Sequence, residues 1–141
     1  MRRRGFVVGL SLSTLTLAAF ARAQSSTATQ LQIDLALAIV GHAALATRYG
    51  EAHPDLVSAR ARVATLVASL RAALARGETI DGVVVTSALE GELADVRGRL
   101  AEFSQRCGSG HPDLRSAQAR ASALEDAIAH LVSDGVFLPP V

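Results

Sequence analysis

The chain has 141 residues, half of them apolar but only 4% aromatic, with no Trp and with Arg as its sole basic side chain apart from His. That length suits one domain of ordinary size, the Ala- and Leu-rich apolar mass favours closely packed helices, and the scarcity of aromatics argues against a stacking platform for sugars or bases. The formal net charge is +1, but Arg2, Arg3, Arg4 and Arg22 crowd the first two dozen positions; the remainder carries ten Arg against thirteen acids, a charge of −3 that gives nucleic-acid binding no electrostatic support.

Residues 1–23 read as a signal peptide. Arg2 to Arg4 form a positive n-region, Phe6 to Phe20 an apolar h-region, and Ala21-Arg22-Ala23 a small-residue cleavage site before Gln24. The apolar run is shorter than the roughly 20 residues a membrane span needs, and no Cys follows it to carry a lipid. Export by either the Sec or the twin-arginine route to the periplasm or beyond is the expectation, with no stable membrane span left after cleavage.

Two helical hairpins follow, at 24–76 and 87–135. In the first, helix A starts in the Ser-Thr stretch Ser25 to Thr29 and carries a seam of Leu31, Leu35, Ala38, His42, Leu45 and Tyr49. Ile33, Leu37, Ile39 and Val40 add to that seam, so helix A is apolar on most sides and needs burial or a partner. Helix B, Asp55 to Arg76, carries Leu56, Ala59, Val63, Leu66 and Leu70 at coiled-coil spacing, and Gly77 closes it. Residues 77–86 read as an extended linker with a short strand as the lesser alternative, because Val83-Val84-Val85 are β-branched. Ser87 with Glu90 forms a capping box for helix C, whose seam is Leu89, Leu93, Val96, Leu100, Phe103 and Cys107. Helix D, Asp113 to Ser133, carries Leu114, Ala117, Ala121, Leu124, Ile128 and Leu131 and ends at Gly135. The apolar tail 136–141 folds back over the bundle or, alternatively, serves as a short recognition peptide.

The two hairpins are copies. Arg48 to Leu66 and Arg106 to Leu124 align without a gap at an offset of 58 and share 11 of 19 residues. Matched Ala and Leu would mean little, but the match includes Gly50 with Gly108 and His53-Pro54-Asp55 with His111-Pro112-Asp113, which marks a duplication. Each motif reads as a corner between helices. Gly50 and Gly108 suit a left-handed residue past a helix end, so Gly50→Val should cost more than about 1 kcal/mol. His53 and His111 occupy the cap position, Pro54 and Pro112 the first helical position, and Asp55 and Asp113 the first turn, where a carboxylate meets the positive end of the helix dipole.

Chemistry is sparse. There is no phosphate loop, nucleophile elbow, Cys/His zinc set or catalytic triad motif, so neither catalytic residues nor metal ligands are assigned and no cofactor is expected. The corner histidines read as turn caps rather than ligands. His42, where the second copy has Leu100, is a polar residue on an apolar seam: a satisfied core histidine, a register-setting position or a ligand. His130 suits a helix C-terminus. Cys107, the single cysteine, reads as a buried small apolar residue, with an intermolecular disulfide as the alternative. Asp95 with Arg99 and Glu102 with Arg106 are spaced as surface ion pairs.

Tyr49-Gly50-Glu51-Ala52-His53-Pro54-Asp55-Leu56, followed by Ala59 and Arg60, resembles a segment of the polysaccharide chain-length determinant and exopolysaccharide transport proteins. Members of that family carry a Tyr-Gly-x-x-His-Pro turn leading into an Ala/Arg/Leu-rich helix of their periplasmic coiled coil. The resemblance spans about twenty residues per copy, and Cys107 stands where the second copy would need Tyr. It implies a turn and a helix. The family's paired membrane spans, Pro-rich segment and Walker-type loop have no counterpart here, so its role in setting polymer length is not implied. A similar turn occurs in kinesin-light-chain-type tetratricopeptide repeats, whose shorter period and aromatic packing positions differ from this chain.

The expectation is an all-α protein of two tandem antiparallel hairpins, four helices in a small bundle. It is an exported, non-enzymatic protein acting through protein–protein contacts or self-association, such as a periplasmic adaptor. The alternative is a ligand- or metal-binding bundle using His42 and the corner histidines.

Overall fold

The computed structural model describes residues 14–139, with side chains from Thr27 to Pro139. Four helices follow one another: α1 (Thr14–Ala46), α2 (Pro54–Ala75), α3 (Gly82–Arg106) and α4 (Pro112–Asp134). The fold is all-α, two antiparallel hairpins, α1–α2 and α3–α4. No strand occurs among the described residues.

Of the expected leader at 1–23, residues 1–13 lie outside the described residues, and 14–23 belong to α1. The expected start of helix A between Ser25 and Thr29 is therefore not a boundary. No Gly or Pro interrupts Thr14 to Val40, and a Ser-Thr stretch caps a helix only where no upstream turn is already in place.

α1 is the centre of the molecule. It packs against α2, α3 and α4, whereas α2 packs against α1 alone. Two clusters result, one on each side of α1. Toward the second hairpin, Ala36 and Val40 of α1 meet Val85, Leu89, Leu93 and Val96 of α3 and Ala121, Leu124, Ala127 and Leu131 of α4. On the other side, Ala28 and Leu35 meet Leu70 and Ala73 of α2. This explains why α1 is apolar almost all round. The segment Thr27–Ala46 is also long and apolar enough to cross a membrane by length and composition, a property shared by core helices of this kind.

The linker is shorter than the sequence suggests, and α3 starts at Gly82 rather than Ser87. Asp81 is the N-cap: its carboxylate accepts from the Val83 and Val84 N–H groups at 3.1 and 3.2 Å. Ser87 and Glu90 consequently sit inside the helix. The β-branched run Val83 to Val85 is helical because a capped N-terminus and the complete burial of Val85 outweigh a propensity cost of a few tenths of a kcal/mol per residue.

Gly77 (φ 83°) and Gly135 (φ 72°) are the left-handed residues that end α2 and α4. At Gly77, its own N–H reaches the Leu74 carbonyl and the Glu78 N–H reaches that of Ala73, the paired bonds of a Schellman motif. Beyond Gly135 the tail folds back over the bundle. The side chain of Gln32, fully buried on α1, donates to the Phe137 carbonyl (2.9 Å) and accepts from the Phe137 N–H (3.1 Å). Phe137 and Leu138 thereby cover one cluster each. Residues 140–141 of the expected tail lie outside the described residues.

Candidate functional site

The two corners have the same geometry. In each, the His N–H donates to the Gly carbonyl three residues earlier at 2.9 Å, closing a turn over Gly50–His53 and over Gly108–His111. His53 (φ −66°, ψ 135°) and His111 (φ −65°, ψ 133°) are the N-caps of α2 and α4. Their Nδ1 atoms accept from the Asp55 and Asp113 N–H groups at 3.3 and 3.2 Å, which occupies one of the free donors of each helix start. Pro54 and Pro112 open the helices.

One expectation fails at these corners. Neither Gly50 nor Gly108 has a positive φ, and a Cβ at either meets nothing within 4 Å. The turn closes through the glycine carbonyl rather than through a left-handed residue, so the backbone strain expected of Gly50→Val has no basis here. Tyr49 stacks on His53 with ring centroids 3.9 Å apart; Cys107, at the equivalent place, caps α3 through its backbone N–H and is half-buried rather than buried.

Both corners lie at one end of the molecule, where Arg48 forms an ion pair with Asp113. Across the second hairpin, Arg97 pairs with Glu125 (2.7 Å) and Arg120 with Glu92 (2.9 Å). Glu102 and Arg106 meet at 3.1 Å as their spacing predicts, whereas no ion pair joins Asp95 to Arg99 among the described residues. His130 lies beside Asp134 (3.7 Å) and the Phe137 ring near the end of α4.

Each hairpin also carries a groove, at equivalent positions. Between α1 and α2 it is open, about 420 Å³, and lined by Ala38, Gly41 and Leu45 on one wall and Ser58, Ala59 and Arg62 on the other. Their 58-residue equivalents are Val96, Arg99 and Phe103 of α3 and Ser116, Ala117 and Arg120 of α4, which line a cleft of about 140 Å³; Ser116 and Arg120 line a further one of about 360 Å³ against Gly41, Ala44, Leu45 and Arg48. The difference is that α1 packs along the second groove. Arg48 borders both clefts, the buried Ser116 hydroxyl lies 3.5 Å from the Ala44 carbonyl, and Ile33, Ala36 and Val40 pack into the cluster that α3 and α4 form.

The open groove holds the polar groups that sequence spacing did not bring together. Asp34, His42, Ser58 and Arg62 all line it. His42 Nε2 is buried and has no hydrogen-bond partner, and Asp34 accepts from Gln30 Nε2 at 2.9 Å. The Ser–His and His–Asp hydrogen bonds that activate a nucleophile are thus not made. Among the described residues no three His, Cys, Asp or Glu side chains gather as a metal set. His53 and His111 are engaged as caps and stand apart from this groove. No protein-family model, curated protein or solved structure matches the chain.

Proposed function

We propose that this is an exported, non-enzymatic helical protein that works by protein–protein contact, docking a partner helix in the groove between α1 and α2. Arg2 to Arg4, the apolar run after them and Ala21-Arg22-Ala23 support export to the periplasm or beyond. The observation that carries the docking reading is that α1 packs along the groove of the second hairpin, with Ala44 at Ser116 and Arg48 at Asp113. Among the described residues no helix packs along the equivalent groove of the first hairpin. A helix seated between two others by its apolar stripe is a common mode of recognition.

A photocrosslinking side chain at Gly41 tests this in cells. A Cβ there meets nothing within 4 Å, so the probe is accommodated. The expected result is a protein adduct that exceeds the yield from exposed Ala64 on α2 and disappears when Ala59→Trp fills the groove. Equal yields at the two positions, or none at either, would count against a docking groove.

A second reading rests on His42 Nε2, which is buried without a partner: a small molecule with a hydrogen-bond donor occupies the groove. The missing metal set makes a metal ion the less suitable occupant.

A further inference from the structure

The repeat defines a joint between hairpins. α1 presents Ile33, Ala36 and Val40 to the groove of the hairpin α3–α4, and Arg48, just past its end, pairs with Asp113 at the start of α4. The same joint can be written 58 residues further on. The face of α3 equivalent to the docked face of α1 is Gly91, Ala94 and Gly98, the equivalent of Arg48 is Arg106, and the equivalent of Asp113 is Asp55.

Every part of that second joint is present and unused. Gly91, Ala94 and Gly98 are exposed. Among the described residues Arg106 pairs only with Glu102 on its own helix, and the Asp55 carboxylate reaches only His53 of its own corner, at 3.8 Å. The acceptor groove between α1 and α2 is open. A single chain thus carries an unfilled groove on its first hairpin and an unseated helix face on its second.

We propose that these halves meet between copies. The Gly91–Ala94–Gly98 face of α3 in one copy seats in the α1–α2 groove of a second copy, and Arg106 of the first pairs with Asp55 of the second. This rests on the reading of the groove as a protein-docking site and names its occupant. The joint is heterologous, so it continues head to tail, each hairpin receiving the first helix of the preceding one as in a helical repeat array. It is weaker than the joint inside the chain. Gly, Ala and Gly replace Ile, Ala and Val on the docking face, which permits close helix approach but buries less apolar area. Ala38 and His42 replace Val96 and Leu100 in the groove, which keeps it wettable when empty. The contact between copies is therefore reversible, concentration-dependent and, through Arg106 and Asp55, sensitive to salt.

Sedimentation equilibrium of the purified protein, exported with its own N-terminus, tests the proposal. The expected mass rises with concentration beyond that of one chain. Asp55→Arg and Arg106→Asp each weaken association by about tenfold or more, by replacing an attraction with a repulsion. An equimolar mixture of the two variants restores it, because each copy then meets the opposite charge. Should Asp55→Arg impair folding, Arg106→Asp at an exposed helix end carries the test by itself, with Arg106→Lys, which keeps the charge, as the control that still associates. A strict monomer at high concentration, or association indifferent to both charge reversals, overturns the proposal. A monomer that still gives a groove-dependent adduct at Gly41 with a different protein leaves the docking reading standing and removes only the self-assembly. A monomer with no adduct removes both.

Discussion

Replacing Leu124 by Ala lowers the stability of the folded chain by about 2–5 kcal/mol, whereas Leu66→Ala, the same change in the first hairpin, costs about 1 kcal/mol. The two leucines occupy equivalent positions of the repeat, 58 residues apart. Their surroundings differ. Leu124 is fully buried among three helices, with Val40 of α1, Leu89 and Leu93 of α3 and its own α4 neighbours in one cluster. Leu66 is half-buried between two helices, because among the described residues no helix but α1 packs on α2. Truncating the first leaves a cavity that surrounding helices cannot collapse into, while truncating the second removes a contact that solvent partly replaces. Denaturant unfolding of the two variants, compared at unchanged slope, reads the difference. Equal costs would mean that α2 is as enclosed as α4.

Gln32→Leu is expected to cost about 1–3 kcal/mol, although it places an apolar side chain of similar size in an apolar core. Gln32 is fully buried and returns two hydrogen bonds to the backbone of Phe137. Without it, the Phe137 N–H and carbonyl lose their partners, and the tail has little reason to remain over the bundle end. Loss of the clamp also exposes the clusters that Phe137 and Leu138 cover. Thermal unfolding with limited proteolysis of the last residues measures both consequences. A variant with a native melting point and a protected tail would show that the clamp is dispensable.

Much of this architecture was legible in the sequence because it depends on local chemistry. The His-Pro-Asp order predicts a cap, a first helical residue and a first-turn carboxylate, and the corners have that form in both copies. The seam residues of α3 and α4, such as Leu89, Leu93, Leu124 and Leu131, are buried as their spacing requires. Local reasoning failed where tertiary contacts decide. Three valines argue against a helix at 83–85, yet Asp81 caps one there and Val85 is buried in the cluster between α1 and the second hairpin. Glycine at 50 and 108 suggested a left-handed residue, but the turn uses the glycine carbonyl, which any residue could supply. Gln32 carries no local signal, since one amide on an apolar helix means nothing until its partner, 105 residues away, is known.

The groove was the least legible feature. One wall, Ser58, Ala59 and Arg62, repeats unchanged as Ser116, Ala117 and Arg120, while the other differs at each position, and nothing local says which groove receives a helix. Only the packing of α1 into one of them makes the other available. His42 marks the difference: it replaces Leu100 at the position where the first hairpin receives no helix from its own chain.

α1 packs on both α3 and α4, whereas α1 is the only helix that packs on α2 among the described residues. Native-state hydrogen exchange tests this arrangement most directly, because the free energy of local opening follows the contacts each helix makes. Amides in the middle of α1, α3 and α4 are expected to exchange through the same highest-energy opening, and those of α2 earlier, through an opening that leaves the other three helices protected. Protection of α2 equal to that of α4 would contradict it, since that result requires a closed bundle in which the first hairpin's groove is already filled.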